Sequence, residues 1–383
     1  MVDWVKIRGD FPATDNGTYF ISAGMSPLPR QVFEGVMSEY RKICECGDIN
    51  WEDDIKRNRN VRGKVGKLIG ANADDIAFIV NTSTSMSLLA LSLKIELGTG
   101  FNVISMMDEF PATTVPFEYQ DIDMRYVTPV EGRYPICSIL DQLDGNTKAV
   151  LTSYVQYATG FRQDLKKLGE ELKKRDVLFL VNSTQGFPYF PIDVKGMGID
   201  ALSASLHKWG MIGQAGAIFY TSPEFRKRFP TPIAGWQSVV PDEGDFIYTK
   251  KNGKIRLLES SEQYMCGCIN LQVLNAFETA LDYQSSIGYD NIRKRIFELS
   301  DYLVSRLKEV NAAIISPIFN CDERSAAISF NLGDDTAGCV SYLEKRKIYV
   351  SYRNRNIRVS LNVFNDEGDI DTLMDAISGY STS

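Results

Sequence analysis

The sequence predicts an α/β protein with a large unit on a mostly parallel sheet, residues 16–254, and a smaller α+β unit, residues 255–383 together with 1–15. Three observations carry this. Strand-like and helix-like segments alternate over the first two-thirds of the chain. The strand-like segments are continuously apolar, the pattern of strands covered on both faces. After about residue 255 the alternation gives way to two long amphipathic helices and a set of short strands. A chain of 383 residues with 44% apolar content has material for one large core and a second, smaller one.

The elements follow in order. Val32, Phe33, Val36, Tyr40 and Ile43 repeat at helical spacing just after Pro29. Ile76–Val80 reads as a buried strand, then a hydroxyl-rich turn, Asn81-Thr-Ser-Thr-Ser85, then a helix through Met86–Ile95. Leu165, Leu168 and Leu172 share one face of a helix over Asp164–Lys174. Val177–Val181, Ala201–Ser205 and Ala215–Tyr220 are short apolar strands. Cys268–Tyr283 and Asp290–Val310 are long amphipathic helices; Ile292, Ile296, Leu299, Leu303 and Leu307 mark the buried stripe of the second, with Asp290 as its N-cap. Ala326–Leu332, a helix near Ala337–Arg346, Ile348–Tyr352, Ile357–Leu361 and a last helix complete the smaller unit.

Composition removes several classes of function. The net charge of −7 and the absence of a long basic run give nucleic-acid binding no electrostatic support. The N-terminal residues do not resemble a signal peptide and no apolar run approaches membrane-spanning length, so a soluble cytoplasmic protein with no membrane partner is expected. Seven scattered cysteines argue against a secreted disulfide framework. Cys44-x-Cys46 and Cys266-x-Cys268 lack zinc spacing and histidine partners, so they read as free thiols, with no metal site expected.

The chemistry centres on His207-Lys208-Trp209. This histidine is the only one in the chain, and the pair lies between two strand-like segments. A lysine at a strand end is what an amine-based catalyst needs, since its nitrogen must lose a proton to become a nucleophile. Upstream stand a buried strand with a polar tetrad, Val177-Leu-Phe-Leu-Val-Asn-Ser-Thr-Gln185, then Pro191-Ile-Asp-Val194 and Gly198-Ile-Asp200, then Ser205-Leu-His-Lys-Trp209.

That ordered set resembles the class V aminotransferase family, the group of pyridoxal 5'-phosphate enzymes that includes cysteine desulfurases, kynureninase and isopenicillin N epimerase. Ser22–Pro29, Asp108–Pro116, Tyr154–Gly160 and Ile357–Asn365 resemble further family segments, so the likeness runs from near residue 20 to the C-terminus. It implies the pyridoxal-phosphate fold type I with a seven-stranded large-domain sheet, a homodimer, and an amino-acid-like substrate. It implies that Lys208 is the Schiff-base lysine and proton shuttle. Ser83 and Thr84 match the phosphate-binding turn, with Ser205 a third candidate. His207 supports the phosphate or packs in the turn. Phe110 matches the residue that stacks on the cofactor ring, Gln185 the one at its 3-oxygen, and Asn182 the one at its pyridine nitrogen. Arg358 matches the arginine that grips a substrate carboxylate, with Arg353 and Arg355 as alternatives, and Tyr157 lies on the substrate side. Gly235-Trp236 resembles a segment that reaches the partner subunit.

Three departures shape the expected function. Asn182 replaces an aspartate, which predicts a weaker electron sink at the ring. The loop before the arginine motif, Ile348–Asn356, is short and has no cysteine, and Cys339 falls in a helix, so desulfuration by a loop thiolate is not expected. Glu259-Ser-Ser-Glu262 replaces a Glu-x-Gly-Thr motif whose threonine reaches the phosphate across the dimer, which puts cofactor affinity in doubt and leaves Ser260 or Ser261 as substitutes. The expectation is aminotransfer, with elimination or epimerisation as alternatives, and a degenerate non-catalytic family member as the alternative of another class.

Overall fold

The computed structural model describes residues 2–49, 51–214, 216–250, 253–333 and 335–381. At its centre is a seven-stranded sheet. From one edge its order is Ile76–Ile79, Ala217–Thr221, Ala201–Ser205, Leu178–Asn182, Thr147–Ser153, Asn102–Met106 and Asp123–Val127. Ala217–Thr221 is antiparallel to both its neighbours, and the other pairings are parallel. Six strands therefore share one direction and present their carboxyl ends at one edge of the sheet. The interior strands are buried along their length, as their continuous apolar runs require. The expected strand Ala215–Tyr220 is found as Ala217–Thr221, and Ala215 lies outside the described residues.

A second, four-stranded antiparallel sheet has the order Ser351–Arg353, Asn356–Ser360, Ala327–Asn331, Ala313–Ile314. Its core comprises Leu299, Leu303, Leu307, Phe330, Val359, Leu373 and Ile377 among others, and Phe20 joins it from the N-terminal segment. Thr18–Tyr19 pairs in parallel with Ile348–Tyr349 as a separate two-stranded sheet, and a parallel bridge from Ile21 to Ser360 ties the N-terminal segment to the four-stranded sheet.

Packing runs across the sequence boundary at residue 254. The helix Leu271–Ile287 puts Leu274, Phe277, Ala280 and Leu281 into the core of the large sheet. Its apolar period was legible, but the period does not say which sheet it covers. Two smaller differences have simple causes. The next helix, Tyr289–Glu309, is capped by Gly288 at φ 89°, so Asp290 falls inside the first turn; its carboxylate still lies at the positive end of the helix. In the helix Arg30–Cys46 only Val32 of the apolar set is buried, and Phe33, Tyr40 and Ile43 stay exposed.

Candidate active site

The site residues converge because they follow strands that point the same way. Asn81–Ser85 follows Ile76–Ile79, Asp108–Phe110 follows Asn102–Met106, Tyr157 follows Thr147–Ser153, Asn182 ends Leu178–Asn182, and Ser205–Lys208 ends Ala201–Ser205. The crevice at the carboxyl ends of strands is where open α/β sheets bind ligands. Beyond Lys208 the chain folds back so tightly that a Cβ on Gly210 would meet the Leu206 carbonyl oxygen at 2.4 Å, which requires glycine there.

Lys208 is part-buried and has no ion pair among the described residues. Burial, then the charges of Arg358 and Arg353, push its amine down to about 7. Its Nζ lies 5.4 Å from the centre of the Phe110 ring. Phe110 is 43% exposed, and its ring meets Tyr157 edge-on with centroids 5.4 Å apart.

Two amides beside the lysine are oriented by their partners. Gln185 Oε1 accepts the Trp209 indole N–H at 3.0 Å, and Gln185 Nε2 donates to the Ala23 carbonyl at 2.9 Å. The second Nε2 hydrogen is what Gln185 can offer to a ligand oxygen. Asn182 Oδ1 accepts the Thr184 N–H at 3.0 Å, and its Nδ2 donates to Thr113 Oγ1 at 2.8 Å. Each Asn182 polar atom retains capacity for one further bond. The N-terminal segment closes this side, since the Ser26 N–H donates to the His207 carbonyl.

The hydroxyl turn divides into two roles. Asn81 caps the helix Thr82–Leu97; its Oδ1 accepts both the N–H and the hydroxyl of Thr84. Thr84 is thereby committed to the cap. Ser83 keeps a free hydroxyl among the described residues, and the helix start leaves the Thr82 and Ser83 N–H groups without intrahelical acceptors. Ser205 belongs to a buried cluster in which its hydroxyl meets Thr82 Oγ1 at 2.6 Å, and Thr184 Oγ1 lies 3.3 Å from Thr82. The sequence motifs contain Thr82, Thr184, Thr113 and Trp209 but give them no role of their own; their hydroxyl and indole partners follow only from the strand order that brings the turns together. His207 is half-buried, and burial with the neighbouring Lys208 pushes its imidazole down to about 4, so it is neutral at pH 7.

Arg358 lies on the strand Asn356–Ser360, opposite Ser329 and Ser351. It is 1% exposed, donates to the Tyr157 carbonyl and to Ser351 Oγ at 3.4 Å, and leaves Nε without a partner. No carboxylate pairs with it among the described residues. Burial, then Arg353, pushes the guanidinium down to about 10. Burial pushes the Tyr157 phenol up. A buried cation without a counter-charge is costly, so this one is set to receive an anion. The charge of Arg353 bears on both Lys208 and Arg358.

The motif at Glu259–Glu262 has a structural explanation. Glu262 pairs with the almost wholly buried Arg62 at 2.9 Å, and Ser261 Oγ bonds Thr221 and Arg226. Ser260 donates to Glu262. The seven cysteines are free, and Cys339 is fully buried, with burial pushing its thiol up to about 11. Trp236 is 42% exposed.

An α/β fold with a lysine at the carboxyl end of a central strand of its seven-stranded sheet defines the class, and comparison with known proteins supplies the family. The class-V aminotransferase family matches residues 18–373, and the chain belongs to it. An uncharacterized aminotransferase, YcbU, of Bacillus subtilis is 25% identical over 97% of both chains. A probable cysteine desulfurase of Pyrococcus abyssi is 24% identical over 96% of this chain and 95% of its own. Among solved structures, a cysteine desulfurase from Thermococcus onnurineus in its apo form superposes with a TM-score of 0.89 at 20% identity, covering 99% of this chain and 98% of its own. The cystine C-S lyase C-DES, in complex with its reaction product cysteine persulfide, gives 0.87 at 17% identity, covering 96% and 99%. The fold is thus the pyridoxal-phosphate fold type I, and pyridoxal 5'-phosphate is the cofactor of the family. The residues present fit that group: among the described residues the Lys208 amine beside the Phe110 ring has no ion partner, and the Ser83 hydroxyl at a helix start has no hydrogen-bond partner.

Proposed function

We propose that this chain is a pyridoxal-phosphate-dependent enzyme acting on an amino acid or a related amine, with aminotransfer as its reaction. The observation that carries the reading is the Lys208 amine, 5.4 Å from the centre of the Phe110 ring, pushed down to about 7 by burial and the Arg358 charge, and without a carboxylate partner among the described residues. When bound, the cofactor supplies an aldehyde that takes up amines and a ring that draws electrons from the attached carbon. Lys208, deprotonated near neutrality, carries the cofactor and moves the proton at the substrate carbon through its Nζ. Arg358 holds the substrate carboxylate. Phe110 would lie against the cofactor ring, and its edge-on contact with Tyr157 braces it there. Ser83, Ser205 and neutral His207 would hold the phosphate, and Thr84 fixes the turn. Gln185 would donate to the ring's 3-oxygen, and Asn182 would serve at the ring nitrogen. The exposed Trp236 supports a homodimer, and no described helix is long and apolar enough to cross a membrane.

A loop-thiolate desulfuration is not part of the proposal. The segment before the arginine motif is a hairpin without cysteine, and Cys339 is sealed in a core. Elimination or epimerisation is the second reading, favoured by Asn182, because a neutral amide leaves the ring a poorer electron sink. A non-catalytic family member draws on the same residue and on Glu262; the pairing of Glu262 with Arg62 accounts for the latter without loss of the cofactor site. The test is the absorption spectrum of the purified protein before and after borohydride. A cofactor band that borohydride abolishes and that Lys208→Ala lacks is expected. No band after addition of the cofactor would sink the proposal.

A further inference from the structure

Arg358 stands opposite Ser351 in the register between Ser351–Arg353 and Asn356–Ser360. Cross-strand partners share a face, and side chains alternate along a strand, so Arg353, two residues beyond Ser351, belongs to the face that carries Arg358. Diagonal positions of this kind lie roughly 7–8 Å apart. The hairpin tip leans on the site: Asn354 Nδ2 makes a long contact, 3.5 Å, to Asp108 Oδ1, two residues before Phe110. The hydrogen bond given by the Arg353 side chain goes to the Tyr352 carbonyl at 2.7 Å, and among the described residues Arg353 has no ion pair.

The nearby acids do not neutralise this pair. Asp108 accepts from the Tyr134 hydroxyl at 3.0 Å as well as from Asn354. Glu109 is turned inward, where it accepts from the Ser153 N–H and hydroxyl and from Gln156, and burial pushes its carboxyl up. Two guanidiniums thus share one face of the hairpin, one buried and one reaching solvent, and both charges push the Lys208 amine down. An amino acid's α-carboxylate satisfies one of them. Arg358, the buried one, has the stronger need.

We infer that Arg353 binds a second anionic group at the end of the substrate's side chain, so that the substrate is an acidic amino acid. The inference rests on the function proposed above, and it names the substrate class of that site. A carboxylate or a sulfinate offers the same paired oxygens to a guanidinium. Arg358 fixes the backbone end of the substrate and Arg353 selects the side chain.

The test uses isosteric pairs on the cofactor-loaded protein. Affinities of aspartate against asparagine, and glutamate against glutamine, are read from the change in the cofactor's absorption, with cysteine sulfinate as a further acid. The acid is expected to bind on the order of tenfold more tightly than its amide. Arg353→Gln is expected to bring that ratio close to one, while Arg358→Gln weakens both members of each pair alike. A wild-type ratio near one, or equal losses for acid and amide in Arg353→Gln, overturns the inference. Melting curves of the variants exclude misfolding as the cause. If the wild-type protein shows no borohydride-sensitive band, the underlying reading has failed, and calorimetry of succinate against succinamate on the cofactor-free chain decides the anion site alone. An Arg353-dependent preference for succinate keeps it, and no preference removes it.

Discussion

Arg62 and Glu262 form an ion pair at 2.9 Å in which the arginine is 3% exposed and the glutamate 29%. Glu262 is therefore the counter-charge of a buried cation. Replacing it by the threonine that the family motif carries leaves Arg62 unpaired. Glu262→Thr is expected to lower stability by roughly 3 kcal/mol, read from urea denaturation, without raising cofactor affinity. An unchanged midpoint would mean that Arg62 finds other partners.

Lys208 makes stability depend on pH in the cofactor-free protein. Its folded amine is pushed down to about 7, whereas an unfolded lysine titrates near about 10.4. Between these values the unfolded chain holds the proton and the folded one does not, so stability rises with pH, by at most about 1.4 kcal/mol per unit. Lys208→Met is expected to remove this contribution between pH 7 and 9. Parallel stability curves for the two proteins would count against a depressed amine.

Asn182→Asp tests the electron-sink argument. The Thr184 N–H can still bond the carboxylate, and the Thr113 hydroxyl can turn to donate, so the fold is expected to survive. The bound cofactor's absorption and its pH dependence should shift, and single-turnover aminotransfer should accelerate at least tenfold, on the order of the effect of one or two pKa units. Identical spectra and rates would show that Asn182 does not govern the ring.

Trp209→Phe removes the donor that orients Gln185. The loss is expected to be about 1 kcal/mol of stability, with several-fold weaker cofactor binding measured by equilibrium titration. Weaker stability with unchanged cofactor affinity would make Gln185 a structural residue only.

Arg355 sits at φ 65° after Asn354 at φ 48°, both left-handed. Asparagine adopts this conformation more readily than arginine, for which it costs roughly 1–2 kcal/mol. Arg355→Gly is expected to raise stability by roughly 0.5–1 kcal/mol while leaving amino-acid affinity as it was. Loss of affinity would reinstate Arg355 as a gripping residue.

Much of the fold was legible because buried parallel strands announce themselves as continuous apolar runs, as Val177–Val181 and Ala201–Ser205 do. The ordered motifs brought out Lys208, Gln185 and Arg358. What sequence could not give depends on side chains meeting across distant turns. The capture of Thr84 by Asn81, and the Thr82–Ser205–Thr184 cluster, follow from strand order and not from spacing. Glu262 looked like a defect in a phosphate motif because Arg62, two hundred residues earlier, is invisible beside it. The helix Leu271–Ile287 showed its apolar period but not its partner.

The two-residue turn at Asn354–Arg355 leaves the hairpin no slack. Strands joined this closely are held in register with each other, so the side chains they contribute reach only as far as the paired strands extend. Chemistry that relies on a travelling thiol needs a longer tether at this point. An insertion at the same point would lengthen the tip beside Asp108 while leaving the pairing of Ser351 with Arg358 in place. In this architecture the length of one turn separates a binding wall from a moving arm.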